Sequence, residues 1–257
     1  FYHSDNLKEW TYLSHLTGFW ECPELFELPI DGNQMNKKWV IYGASGTYMI
    51  GDFDGTSFKP STGKLQYVQG NFFAAQTYNN IPESDGRRIQ IGWGRDIDHG
   101  GKMPFGQLML FPSELTLKST RNGVRLFNNP IREINQLSKK SHRWTNLDKA
   151  TANEKLKTVK GDLFHVKMKV RIVDGTSFQF SLNGNRLVHY DMNGNKINGA
   201  FYPSDNTESG GIELEFIIDK TSLEIFVDNG AFTVVESLPH AKNQAGLHYG
   251  NRYGAVA

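Results

Sequence analysis

Trp39-Val40-Ile41-Tyr42-Gly43-Ala44-Ser45-Gly46-Thr47-Tyr48-Met49-Ile50 is the stretch on which the fold reading turns. Two runs of β-branched and aromatic residues flank a tetrapeptide bounded by glycines, the pattern of strand, turn and strand. Asp52-Phe53-Asp54-Gly55 supplies the next turn, with Gly55 free to take positive φ. Its Asp-x-Asp-Gly spacing also fits the start of a calcium loop, but the other oxygen ligands and the closing Glu are missing. Further on, Phe72 to Tyr78 and Arg88 to Trp93 read as strands on either side of a polar, Pro- and Gly-containing loop. Glu114 to Lys118 and Val124 to Phe127 form a hairpin through Arg121-Asn122-Gly123. Short strands grouped in fours predict propeller blades.

Upstream of that hairpin lies Trp20-Glu21-Cys22-Pro23-Glu24-Leu25-Phe26. A carboxylic acid stands between a Trp and a Cys, and Pro23 fixes the backbone after them. An acid in an apolar, partly dry setting keeps its proton towards neutral pH and can deliver it to a leaving oxygen. Glycosidases use such a carboxyl opposite an ionised one. The plainer reading of Glu21 is a solvated residue at a strand end.

Downstream, Ile97 to Gly106 is a glycine-rich loop placed after Trp93, predicted at the rim of a pocket. His99 between Asp96 and Asp98 is a weak metal candidate without a second His or Cys at ligand spacing. From Asn128 to Gly161 the chain turns polar and reads as a connector with a short helix near Thr151 to Lys157. Strands then resume with clean alternation: Glu213, Glu215 and Asp219 interleave with Ile212, Leu214, Phe216 and Ile218. Glu224 and Asp228 do the same against Leu223, Ile225 and Val227. One face buried and one wet predicts a two-sheet sandwich, with these carboxylates on the solvated face.

Composition narrows the classes. A chain of 257 residues suits one large or two modest domains. A net charge of +1 with no long single-sign run argues against nucleic acid or an anionic membrane surface. No apolar run approaches a membrane span. One Cys rules out an internal disulfide.

Several segments together resemble glycoside hydrolase family 32, the invertases, inulinases and levanases that cleave β-fructofuranosides. Trp20-Glu21-Cys22-Pro23-Glu24 is similar to the family's acid/base motif, with Glu24 where Asp is usual. Ser4 to Trp10, Gly51 to Gly55, Asn71 to Thr77, Gly92-Trp93, Phe111 to Leu117 and Ser222 to Gly230 resemble further family segments in family order. The motifs that carry the family's nucleophile and its transition-state Asp do not occur here. Arg95-Asp96 is no substitute, because it follows the acid/base segment and lacks the Pro.

The resemblance implies an all-β chain: residues 1–130 as the last blades of a five-bladed β-propeller, 131–160 as connector, and 161–257 as a β-sandwich. It implies a retaining fructosidase with Glu21 as acid/base and the nucleophile outside these residues. Trp20, Cys22, Phe73 and Trp93 are then the substrate-binding candidates. Cys22 is equally well a small buried hydrophobe, and Phe73 lacks the hydroxyl of the Tyr common in the family. The implied partners are a fructan or sucrose and the missing amino-terminal blades, with no cofactor, metal, nucleic acid or membrane. The implied location is extracellular or periplasmic. A non-catalytic fructan-binding protein and an arabinanase-like enzyme are the competing readings.

Overall fold

The expected turn at residues 43–46 forms, and it sits inside a four-strand meander. Strands Glu24–Ile30, Asn33–Tyr42, Thr47–Phe53 and Phe58–Pro60 pair antiparallel in chain order. The computed structural model describes residues 1–100, 104–182, 184–202, 211–238 and the backbone of 247–250. The chain is mostly β-strand with little helix, as the alternation predicts. A second meander follows from Phe72–Thr77, Arg88–Gly94, Ser113–Thr120 and Gly123–Pro130. A single parallel step, Leu117 beside Ile30, joins the two. Asp31 secures it: its N–H donates to the Leu117 carbonyl (2.9 Å), and its carboxylate accepts from the Ser119 N–H (2.9 Å) and hydroxyl (2.6 Å).

Alternation sends every second side chain inward. Tyr48 and Ile50 from one strand meet Val40 and Tyr42 from its neighbour, with Tyr67, Leu115, Leu117 and Leu126 closing the first core. Asp54 shows why its segment is a turn and not an ion loop. Its carboxylate accepts from the Thr56 hydroxyl (2.7 Å) and the backbone N–H groups of Ser57 (2.8 Å) and Thr56 (2.9 Å), which with the Ser57 hydroxyl hold it below the usual carboxylate range.

The polar connector contains a 3-10 turn, Arg132–Leu137, and one α-helix, Lys149–Leu156. The helix starts earlier than the sequence suggests because Asp148 caps it, accepting from the Thr151 N–H at 2.7 Å.

Beyond the helix lie two five-stranded sheets. The first contains Phe164–Arg171, Gly211–Ile218, Ser222–Val227 and Phe232–Ser237; the second is built around Ser177–Leu182 and Asn185–Asp191. One apolar cluster draws Phe178, Phe180 and Val188 from one sheet and Ile212, Phe216 and Ile225 from the other. The Phe180 and Phe216 rings meet edge-on at 5.0 Å. Asn183, in the Asn-Gly pair after the strand Ser177–Leu182, lies outside the described residues, as do 101–103 of the glycine-rich loop.

The halves join through a strand that no local sequence pattern marks. Val68–Gly70, from the first half, adds a parallel fifth strand beside Phe232–Ser237. Gly70 has φ +91°, and a Cβ there would lie 2.0 Å from the Val235 carbonyl oxygen, so only glycine permits this approach. Segments of the first half also lie against this sheet, where Phe111 meets Glu224, Asp98 meets Ser237 and His99 meets Thr221. Glu224 and Asp228, expected on a solvated face, are each only 6% exposed. Glu224 accepts from the Phe111 N–H at 2.8 Å, and Asp228 accepts from the Glu213 N–H at 2.9 Å and from the Tyr202 hydroxyl. Glu213 and Glu215 do reach the surface, where Glu213 pairs with Lys169 (2.8 Å) and Glu215 pairs with Lys167 (3.2 Å) and meets the His165 ring (2.7 Å).

A buried polar chain also crosses the junction. Tyr67 donates to Gln90 (3.0 Å), Gln90 donates to Asn128 (3.0 Å), and Asn128 donates to Thr233 (3.1 Å). Asn128→Ala strips Gln90 of one acceptor and Thr233 of its donor in a dry place. The expected cost is about 1–3 kcal/mol of unfolding free energy, read from the urea midpoint of the natural protein at constant slope.

Candidate active site

Glu21 sits just before the strand Glu24–Ile30, outside regular structure. Its backbone, not its side chain, is anchored: the Glu21 carbonyl accepts from the Ala44 N–H at 2.9 Å. Ala44 lies in the turn that the opening stretch predicts, and its own carbonyl accepts from the Ala74 N–H at 2.9 Å. Two hydrogen bonds thus connect Glu21 to the residue after Phe73. Gly43 allows the approach, since a Cβ there would come within 2.7 Å of the Phe19 ring.

Ala74 is free to make this bond because the strand bulges there. Trp93 pairs with Phe73 but Ile91 pairs with Gln76, so the Phe72–Thr77 strand carries an extra residue opposite Gly92. Ala74 takes φ 48° at that point, a left-handed conformation unusual for a residue with a Cβ. Cys22 takes the same conformation, φ 47°, immediately after Glu21. Strained positions of this kind persist only where surrounding structure holds them, and they gather at functional sites.

The bulge sets Phe73 edge-on against Trp93, ring centres 6.0 Å apart. Trp93 is fixed at its other end by its indole N–H, which donates to the Gln107 side chain at 2.7 Å. The Arg95 guanidinium lies over the Phe73 ring at 4.1 Å, a cation on a π face. All three of Phe73, Trp93 and Arg95 are half-buried. A carboxyl, two aromatic faces and a few polar donors at the edge are what a sugar site needs: apolar surface for ring C–H groups, polar groups for hydroxyls.

The structure links the Glu21 main chain to the residue after Phe73, and Phe73 to Trp93, and it differs from the expected site in two respects. Trp20 is 98% exposed and covers nothing, and Glu21 is exposed as well, so the dry, apolar setting expected from Trp20 is not formed among the described residues. The reason is local: with Cys22 left-handed, the segment crosses the strand ends without joining the sheet, and only half-buried Cys22 turns inward. The glycine-rich loop is the second departure. Its first half docks on the second half of the chain, where Asp98 N–H donates to the Ser237 hydroxyl (3.0 Å) and His99 is buried against Thr221 (3.1 Å). Among the described residues, Gln107, which follows the loop, reaches Trp93. No cluster of three His, Cys, Asp or Glu side chains suited to a metal occurs among the described residues.

A family model described as the glycosyl hydrolases family 32 N-terminal domain matches residues 1–130. The chain belongs to glycosyl hydrolase family 32. The family 32 relatives include a levanase of Bacillus subtilis, 31% identical over 303 residues, which covers 99% of this chain and 45% of the levanase. An extracellular exo-inulinase of Aspergillus niger is 26% identical over 92% of this chain and 54% of its own length. The chain therefore spans about half the length of the curated relatives it matches. Among solved structures, exo-inulinase from Aspergillus awamori superposes with a TM-score of 0.72 at 20% identity, covering 99% of this chain and 59% of that one. Fructan 1-exohydrolase IIa from Cichorium intybus, in complex with 1-kestose, superposes at 0.74 with 19% identity, covering 99% and 64%. At such identities the likeness speaks for the fold of this family 32 chain.

Residues without a local sequence signal surround the candidate site. Gln107 and Arg95 carry no local signal, because their contacts depend on how the loop returns. Tyr42, Thr77 and Arg88 surround Glu24; Thr77 was visible only as the last residue of the segment Asn71 to Thr77.

Proposed function

We propose that these residues form the acid/base-bearing part of a retaining β-fructosidase acting on levan, inulin or sucrose. The two four-strand meanders are blades of the family's five-bladed propeller, and the paired sheets beyond residue 160 are a β-sandwich. The observation that carries this reading is the path from Glu21 through Ala44 and Ala74 to the Phe73–Trp93 pair.

In the first step a carboxylate outside these residues attacks the anomeric carbon of the fructosyl unit. Glu21, in its acid form, gives its proton to the glycosidic oxygen, and the leaving sugar departs as an alcohol. In the second step Glu21, now a carboxylate, takes a proton from water as that water attacks the same carbon. Fructose leaves with configuration retained, and both carboxyl groups return to their starting forms. Phe73 and Trp93 offer ring faces to the sugar, and the left-handed Cys22 sets the direction from which Glu21 approaches.

The exposure of Glu21 and Trp20 favours one competitor, a fructan-binding protein without turnover. Incubating the natural full-length protein with levan, inulin and sucrose separates the two. Fructose release is the expected outcome. Retention on levan or inulin without any release would overturn the catalytic reading.

A further inference from the structure

Glu24 is the carboxylate nearest in sequence to Glu21 that the reaction leaves unused. It is half-buried at the start of the Glu24–Ile30 strand, and its two oxygens are fully engaged. Oε2 accepts from the Tyr42 hydroxyl (2.6 Å) and from the Thr77 N–H (2.8 Å), while Oε1 accepts from the Thr77 hydroxyl. Arg88 then donates to the Thr77 hydroxyl oxygen at 3.1 Å, and its guanidinium rests on the Phe26 ring at 5.2 Å. Burial above all, then neighbouring Tyr67 and the bond to Glu24, raise the Tyr42 hydroxyl well above its ordinary value, so it stays a donor.

The placement of these partners is what matters. Tyr42 ends the strand that leads into the turn holding Ala44. Thr77 ends the strand that carries Phe73, and Arg88 begins the strand that carries Trp93. No other ladder joins Glu24–Ile30 to Phe72–Thr77 among the described residues, because these strands belong to different meanders. We propose that Glu24 is a positioning residue for Glu21: its carboxylate latches the strand following the acid to the strands bearing the two aromatic faces. The inference rests on the acid/base reading of Glu21.

The side-chain length fits the task. A carboxylate must span from one meander to the end of the next strand and meet a backbone N–H and a hydroxyl of the same residue. A two-point grip on Thr77 fixes distance and direction together, as a charge-assisted pair of hydrogen bonds does. Without it, Glu21 is held only through its own carbonyl, and its side chain can swing with the left-handed Cys22. A misplacement of about 1 Å at a reacting group can cost about 100-fold in rate.

The test uses the natural full-length protein with Glu24→Ala, Glu24→Gln and Tyr42→Phe, and reads two quantities. The first is fructose release. Glu24→Ala should lower kcat by about 10- to 100-fold with KM within about twofold of wild type, the pattern of a lost transition-state alignment. Glu24→Gln keeps the length and one acceptor oxygen, and should recover kcat to within about fivefold. Tyr42→Phe removes one donor only, should fold normally, and should lower kcat by about threefold. The second quantity is the rate at which a water-soluble maleimide labels Cys22, read by peptide mapping. It should rise several-fold in Glu24→Ala and fall back in Glu24→Gln. Unchanged kcat in Glu24→Ala, or a Cys22 labelling rate equal to wild type, overturns the positioning role. If Glu21→Gln itself keeps wild-type turnover, the acid/base reading fails, and the Cys22 rate still reports separately whether the latch exists.

Discussion

Replacing Glu21 with Gln in the natural protein is expected to lower kcat on levan, inulin or sucrose by about 10²–10⁴-fold. Gln has the size of Glu and cannot give up a proton to a leaving oxygen. The backbone bond from Ala44 to the Glu21 carbonyl is indifferent to the side chain, so the site keeps its shape. A sugar alkoxide is a poor leaving group and needs that proton as the bond breaks. A nitrophenolate does not, so hydrolysis of an aryl β-fructoside should fall far less. The comparison of the two substrates is the measurement: an equal loss on both points to a binding or folding defect, and near-native rates on the natural substrate sink the assignment. The prediction does not require the dry surroundings that the sequence suggested. It requires a transferable proton on a carboxyl whose main chain is tied through Ala44 to the bulge at Ala74.

How much of this was legible beforehand differs along the chain. Strand and turn positions in the first half follow from local chemistry, since Gly43 to Gly46 and Asp54 to Ser57 supply their own bends. The alternation through Gly211–Ile218 likewise gave one face of the core. Burial of Glu224 and Asp228 was not legible, because period two shows only that a strand has two faces. It does not show that a second body covers the outer one. The same limit applies to the site. Glu21 and Trp93 stood out by their neighbours in sequence, whereas Gln107, Tyr42 and Arg88 matter through contacts across strands. The exposure of Trp20 was not legible either, because the chain bends at Glu21 and turns left-handed at Cys22, which keeps both Trp20 and Glu21 off the sheet. Ala74 had no signal at all, since nothing about an alanine announces a bulge.

Glu224 gives the largest expected effect on stability, and its sign is fixed. Burial dominates and pushes its carboxyl up to about 8, against an ordinary glutamate value of 4.5, with the field of Asp219 adding to the rise and the Phe111 N–H opposing it. Between those two values the folded protein holds a proton that the unfolded chain has released. Stability is therefore full below 4.5 and falls as pH rises, by up to about 1.4 kcal/mol for each pH unit, until the folded carboxyl ionises near 8. The charged form would face the Phe111 N–H where the two halves meet. In Glu224→Gln the amide oxygen still accepts from Phe111, and no proton is lost at any pH in this range. Thermal or urea melts of the natural protein and the variant at pH 5 and pH 8.5 decide the matter. Wild type should lose several kcal/mol more than Glu224→Gln over that interval, and the difference between the two removes the contribution of every other titrating group. Parallel pH slopes for the two proteins would mean that Glu224 ionises freely, and that water reaches the junction that Val68–Gly70 and Phe111 close.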